Sequence, residues 1–111
     1  MRTCSGTSCA CSGASLVSSD AEGAAPAGTA VRWTANATCG GGTPTYLFRM
    51  AGPRGFFRTV RAYGTSPTYD WNTAGLAAGT YRFQVWVRHS GSTQAFESTA
   101  SASFVIQRST P

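Results

Sequence analysis

The sequence predicts an all-β chain, a single antiparallel β-sandwich of about seven strands. The first observation is period-two alternation, most complete in residues 79–88 (GTYRFQVWVR), where Tyr81, Phe83, Val85 and Val87 share one face and Arg82, Gln84, Trp86 and Arg88 the other. Successive side chains of a strand point to opposite sides, so this is a central strand with one core face and one partly wet face. The second is spacing: Gly- and Pro-containing turn signals separate the alternating segments, and no helical periodicity appears. The third is composition. With 13 glycines and only 12% charged residues in 111, the chain favours short strands and turns over helices, and its length suits one core.

In chain order, residues 1–13 (MRTCSGTSCACSG) have no periodicity and are expected to form a cysteine-rich flexible leader, with the folded domain spanning 14–111. Residues 14–20 form a short weak strand, followed by a turn region around Pro26 and Gly28. Residues 31–38 alternate, with Val31, Trp33, Ala35 and Ala37 on the core side. The CGGGTP break leads to residues 45–50, where Tyr46, Phe48 and Met50 oppose Leu47 and Arg49. A turn at AGPRG closes a hairpin onto residues 56–63. Residues 68–72 carry Tyr69 and Trp71 on one side, and after residues 79–88 a last strand, 98–107, places Ala102, Phe104 and Ile106 in phase.

The net charge is +5, from nine arginines, no lysine and the four acids Asp20, Glu22, Asp70 and Glu97. That balance favours anionic partners, but without Lys/Arg clusters or a recognised motif it does not indicate nucleic acid. No apolar run approaches the ~18 residues that would span a bilayer, so no membrane insertion is expected, and no signal peptide is readable at the N-terminus. Four cysteines, Cys4, Cys9, Cys11 and Cys39, read as two disulfides and therefore as an oxidising compartment; their connectivity stays open at three alternatives. Zinc would require the same four thiolates, but Cys-x-Cys is a poor substitute for the paired CxxC knuckles of structural sites, so no metal is expected.

The segments AGTAVRWTANATCGGGTPTYLFRM, FFRTVRAYGTSPTYDWNTAGLAAGTYRFQVWVRHSGS and ESTASASFVI resemble the immunoglobulin-like repeats of large secreted or surface proteins of soil bacteria, with their PxYxF, WxTxG and GxYxxxVWVR steps. The resemblance covers residues 11–107. It implies an immunoglobulin-like sandwich, a noncatalytic role beside other domains, and a disulfide from Cys11 (or Cys9) to Cys39, leaving Cys4 to pair with Cys9 or with a partner outside the chain. Tyr81 resembles the tyrosine corner of such sandwiches, its hydroxyl tied to nearby backbone. The Asn36-Ala37-Thr38 sequon, inside a strand of a chain that looks bacterial, reads as chance.

Catalytic chemistry finds little purchase. His89, the sole histidine, reads as a solvated loop residue, and the four scattered acids form no carboxylate pair, Asp70 beside Trp71 being the one to inspect. No cofactor is implied. What remains is the outward face of the sheet containing Tyr46, Val60 and Val85, on which Leu47, Arg49, Phe57, Arg61, Tyr63, Arg82, Trp86 and Arg88 are expected together. Interleaved arginines and aromatics can bind a glycan or a protein surface, or simply stack on one another across strands. The expected function is accordingly an extracellular adhesion or accessory binding module. The alternative is a structural subunit of a surface, filament or viral assembly, a homo-oligomer linked through the leader cysteines.

Overall fold

The structure, a computed structural model, describes residues 10–19, 23–53 and 55–107. The alternating segment around Phe83 forms the central strand, Gly79–His89, of a five-stranded sheet. Numbered along the chain, the strands are β1 (Cys11–Ser18), β2 (Ala24–Pro26), β3 (Ala30–Cys39), β4 (Pro44–Ala51), β5 (Arg58–Gly64), β6 (Thr68–Asn72), β7 (Gly79–His89) and β8 (Ser98–Gln107). One sheet has the order β1-β3-β6 and the other β2-β8-β7-β4-β5. All described pairings are antiparallel except β2 with β8.

The two sheets meet through aromatic rings. Trp33 of β3 stacks on Phe83 of β7 at 4.5 Å between centroids, and Trp71 of β6 meets Phe83 at 4.6 Å and Phe104 of β8 at 5.5 Å, both edge-on. Offset and edge-to-face contacts of this kind add about 0.5–1.5 kcal/mol per pair beyond the area buried. Phe48, Phe83, Val85, Val87 and Phe104 have no exposed surface, so the faces read from alternation in β3, β4, β7 and β8 are the faces that form the core. Tyr81 closes one end: its hydroxyl donates to the carbonyl of Ala77 at 2.7 Å, the backbone tie expected of it.

Among the described residues eight strands form rather than about seven. The extra one is β2, three residues within the stretch expected to be a turn; it runs parallel to β8, pairing Ala24 with Val105 and Pro26 with Gln107. Three residues with one buried side chain, Ala25, offer no alternation to read, because the edge of β8 rather than an apolar pattern orders them. The first strand also begins earlier than expected. Cys11–Gly13 belong to β1, where Cys11 lies opposite Cys39 of β3 and is joined to it by a disulfide. Covalent closure and strand pairing order a stretch whose Ser/Gly composition reads as loop. Cys4 and Cys9 lie outside the described residues.

Candidate functional site

The outward face of the five-stranded sheet is built from β7 outward. Arg82, Gln84, Trp86 and Arg88 alternate with the buried residues of β7, and β4 sets Leu47 opposite Trp86 and Arg49 opposite Gln84. Cross-strand partners project to the same side of a sheet, so these residues form one surface. Arg49 lies with its guanidinium carbon 4.6 Å from the Trp86 ring centre and 5.6 Å from that of Phe57. Arg82 also reaches the Phe57 ring, at 5.4 Å, and Arg88 lies 4.0 Å from the centre of Tyr63. Gln84 joins the middle of the array, its Oε1 accepting Arg49 Nη1 and Trp86 Nε1, each at 3.0 Å.

Six of the seven residues expected to bind therefore share this face, and the seventh, Arg61, does not. In β5 it lies opposite the core residue Phe48, and its guanidinium stands over Phe48 and over Tyr69 of the other sheet while donating to the carbonyl of Thr68. The cause is local. The β4–β5 register shifts between Tyr46 and Phe48 and again between Phe48 and Arg49. Each bulge inserts a residue and reverses the facing of the residues beyond it, so Arg61 and Tyr63, two apart, no longer point the same way.

The β7–β8 connection contributes residues that sequence reasoning missed. Phe96 packs on Trp86 at 4.9 Å between centroids. Arg88 Nη1 donates to the carbonyl of Gln94 and Tyr63 Oη to that of Ala95, each at 2.6 Å, so residues 94–96 are tied down along one margin of the face. Burial raises the Tyr63 pKa, with Arg88 opposing and Glu97 adding to the rise. The only signal in the sequence is the bulky apolar Phe96 in an otherwise small, polar loop.

Glu97, in the sequence only one of four scattered acids, is a second such residue. Its side chain is 8% exposed, and Oε1 accepts the backbone N–H groups of Cys11 and His89, each at 3.0 Å. Oε2 accepts the Ser92 hydroxyl at 2.9 Å and lies 2.8 Å from His89 Nδ1. Burial alone would raise the carboxyl pKa; the backbone donors of His89 and Cys11, then Ser92 and the His89 ring, outweigh it and bring the value down to about 2. His89 is thus no solvated loop residue: it ends β7, its side chain 17% exposed and oriented by Glu97. Ser, His and Glu meet here, yet the serine hydroxyl is bonded to the carboxylate rather than to the imidazole, which is not the arrangement that activates a nucleophile.

Asp70 sits on the opposite sheet in cross-strand register with Arg32, its Oδ1 2.7 Å from Arg32 Nε. The hydrogen bond from Arg32 holds its pKa below the usual carboxylate range. Both side chains are largely exposed, so the pair adds little to stability. Among the described residues no three His, Cys, Asp or Glu side chains converge as metal ligands would. No helix among them is long and apolar enough to cross a membrane. No family model matches the chain, and no curated protein matches it.

Proposed function

We propose that this chain is a noncatalytic immunoglobulin-like module of a secreted or surface bacterial protein, and that it binds a glycan or protein partner through the outward face of its five-stranded sheet. The strand orders β1-β3-β6 and β2-β8-β7-β4-β5 support the immunoglobulin-like reading, because they interleave early and late strands in each sheet as Greek-key sandwiches do. The Tyr81 tie to Ala77 supports it too. The Cys11–Cys39 disulfide supports an oxidising compartment outside the cytoplasm.

One observation carries the binding role. Arg49, Arg82 and Arg88 stand beside Phe57, Trp86 and Tyr63 on one sheet face, and the two described acids are both committed elsewhere, Asp70 to Arg32 and Glu97 to the β7–β8 turn. A surface of guanidinia and rings with no acid among its described residues is complementary to anionic or ring-bearing partners.

The test is binding to immobilised polygalacturonate, xylan and fibrinogen by the wild-type chain and by the R82A/W86A double variant. The expected result is binding to at least one probe, lost in the variant while the thermal midpoint stays close to wild type. If the substitutions leave binding intact and mainly lower the midpoint, the face serves stability alone.

A further inference from the structure

Of Arg49, Arg82 and Arg88 on the face, Arg82 is the one that gives none of its N–H groups to a protein acceptor among the described residues; Arg58 of β5 likewise makes no hydrogen bond to them. Arg49 donates to Gln84, Arg88 to the carbonyl of Gln94, Arg61 to that of Thr68 and Arg32 to Asp70. Arg82 has its Phe57 contact and, among the described residues, no hydrogen bond or ion pair. It is not on a free edge. β7 is the middle strand, where Arg82 pairs with Ser103 of β8 and Gln84 with Ser101, so two hydroxyls and an amide flank the guanidinium on its own side of the sheet.

These groups enclose a shallow cavity of about 220 Å³ lined by Phe57, Arg82, Gln84, Ser101, Ala102 and Ser103. Its size is below that of drug-sized sites and suits a single ring. Its walls divide by chemistry: an aromatic side, a planar cation with unfilled donors, and a row of groups able to exchange hydrogen bonds with hydroxyls. Gln84 Oε1 is occupied by Arg49 and Trp86, which leaves its amide nitrogen as the group without a protein partner among the described residues.

We propose that this cleft is the anchoring subsite for one acidic sugar unit, its carboxylate held by Arg82, its ring against Phe57 and its hydroxyls against Gln84, Ser101 and Ser103. A guanidinium matches a carboxylate in a two-pronged hydrogen-bond geometry that a point charge cannot reproduce. Arg49, on the same Phe57 ring, adds positive field, with one of its N–H groups given to Gln84. A nucleic-acid strand fits less well: tracking a phosphate backbone takes an extended groove of cations, whereas this cleft has the size of a single ring and one arginine in its lining.

The inference rests on the outward face being the binding face, and the experiment separates the two. Affinities are measured at ~0.15 M salt, where long-range attraction is largely screened, for polygalacturonate, its fully methyl-esterified form and oligo-dT, using wild type, R82Q, W86A and R58Q. Arg58, exposed on the edge strand β5, is the charge control. The expected result is polygalacturonate binding that falls about ten-fold or more on methyl esterification and in R82Q, and is unchanged in R58Q. Equal loss in R82Q and R58Q, equal affinity for oligo-dT, indifference to esterification or no binding to polygalacturonate overturns the subsite. If W86A loses polygalacturonate while R82Q keeps it, the face stands and the subsite falls; if both variants keep it, both readings fall.

Discussion

Glu97 Oε1 accepts the backbone N–H of Cys11 at 3.0 Å, a bond between residues 86 positions apart that fastens the start of the first strand to the start of the last. The same carboxylate takes the N–H of His89 and the hydroxyl of Ser92, so one buried acid organises the β1 start, the β7 end and the turn between β7 and β8. Its pKa is lowered from 4.5 to about 2 in the folded chain. A carboxylate with a depressed folded pKa stabilises fully above its unfolded value and loses that contribution as pH falls through the folded one. Stability should therefore drop between pH 4.5 and about 2, by roughly 3 kcal/mol for this group. Denaturant unfolding across that range checks it, with E97Q as comparison: the variant should be less stable at neutral pH and show a flatter acid limb. An acid limb as steep in E97Q as in wild type would place the titration elsewhere.

The disulfide acts on the same corner. Cys11 and Cys39 are direct register partners, 28 positions apart in sequence. Closing a loop of that length stabilises the folded state by ~3–4 kcal/mol in the chain-entropy account. The C11A/C39A variant should lose about that amount in chemical denaturation, and because Cys11 also supplies the N–H held by Glu97, its loss and that of E97Q should be less than additive. Strict additivity would show that strand pairing alone holds the β1 start in place.

Alternation located Trp33, Tyr46, Phe48, Phe83, Val85, Phe104 and Ile106 because burial on one sheet face is a local, period-two property of the chain. The features that alternation misplaces depend on non-local causes. Arg61, though exposed, leaves the outward face and stands over Phe48 and Tyr69 because two bulges in the β4–β5 pairing change phase, and a bulge is set by the partner strand as much as by its own residues. β2 exists because β8 offers an edge. Glu97 is the most heavily hydrogen-bonded acid described because folding brings Cys11 to it from 86 positions away. The outward Arg/aromatic face is legible for the residues of β4 and β7 and illegible for Phe96, whose approach to Trp86 depends on the path of a turn.

Gly79 opens β7 with φ of +149°, and a Cβ there would come within 2.6 Å of Pro53 Cγ and 3.0 Å of its Cβ. Both the backbone conformation and the space exclude a side chain. G79A should destabilise by about 2 kcal/mol or more. The double variant G79A/P53A removes the closest atom and should recover part of that loss, leaving the backbone share. Recovery to the level of P53A alone would mean that the clash, and not φ, is the whole constraint.

Tyr81 and Arg82 are adjacent in β7 and face opposite ways, Tyr81 into the core against Trp71 at 5.5 Å between centroids and Arg82 into the outward cleft. Y81F keeps the ring and removes the hydroxyl that donates to Ala77, leaving a half-sheltered carbonyl short of a partner. A loss of about 1–2 kcal/mol in unfolding free energy is expected, with no change in affinity for any ligand of the outward face. R82Q should do the reverse, altering affinity and leaving stability within about 0.5 kcal/mol of wild type. Because the sheet separates the two side chains, the stability effects in Y81F/R82Q should add within about 0.5 kcal/mol despite their adjacency in sequence. A coupling well beyond that would mean that Arg82 supports the packing of β7 itself, and its open donors would then reflect a structural position rather than a ligand site.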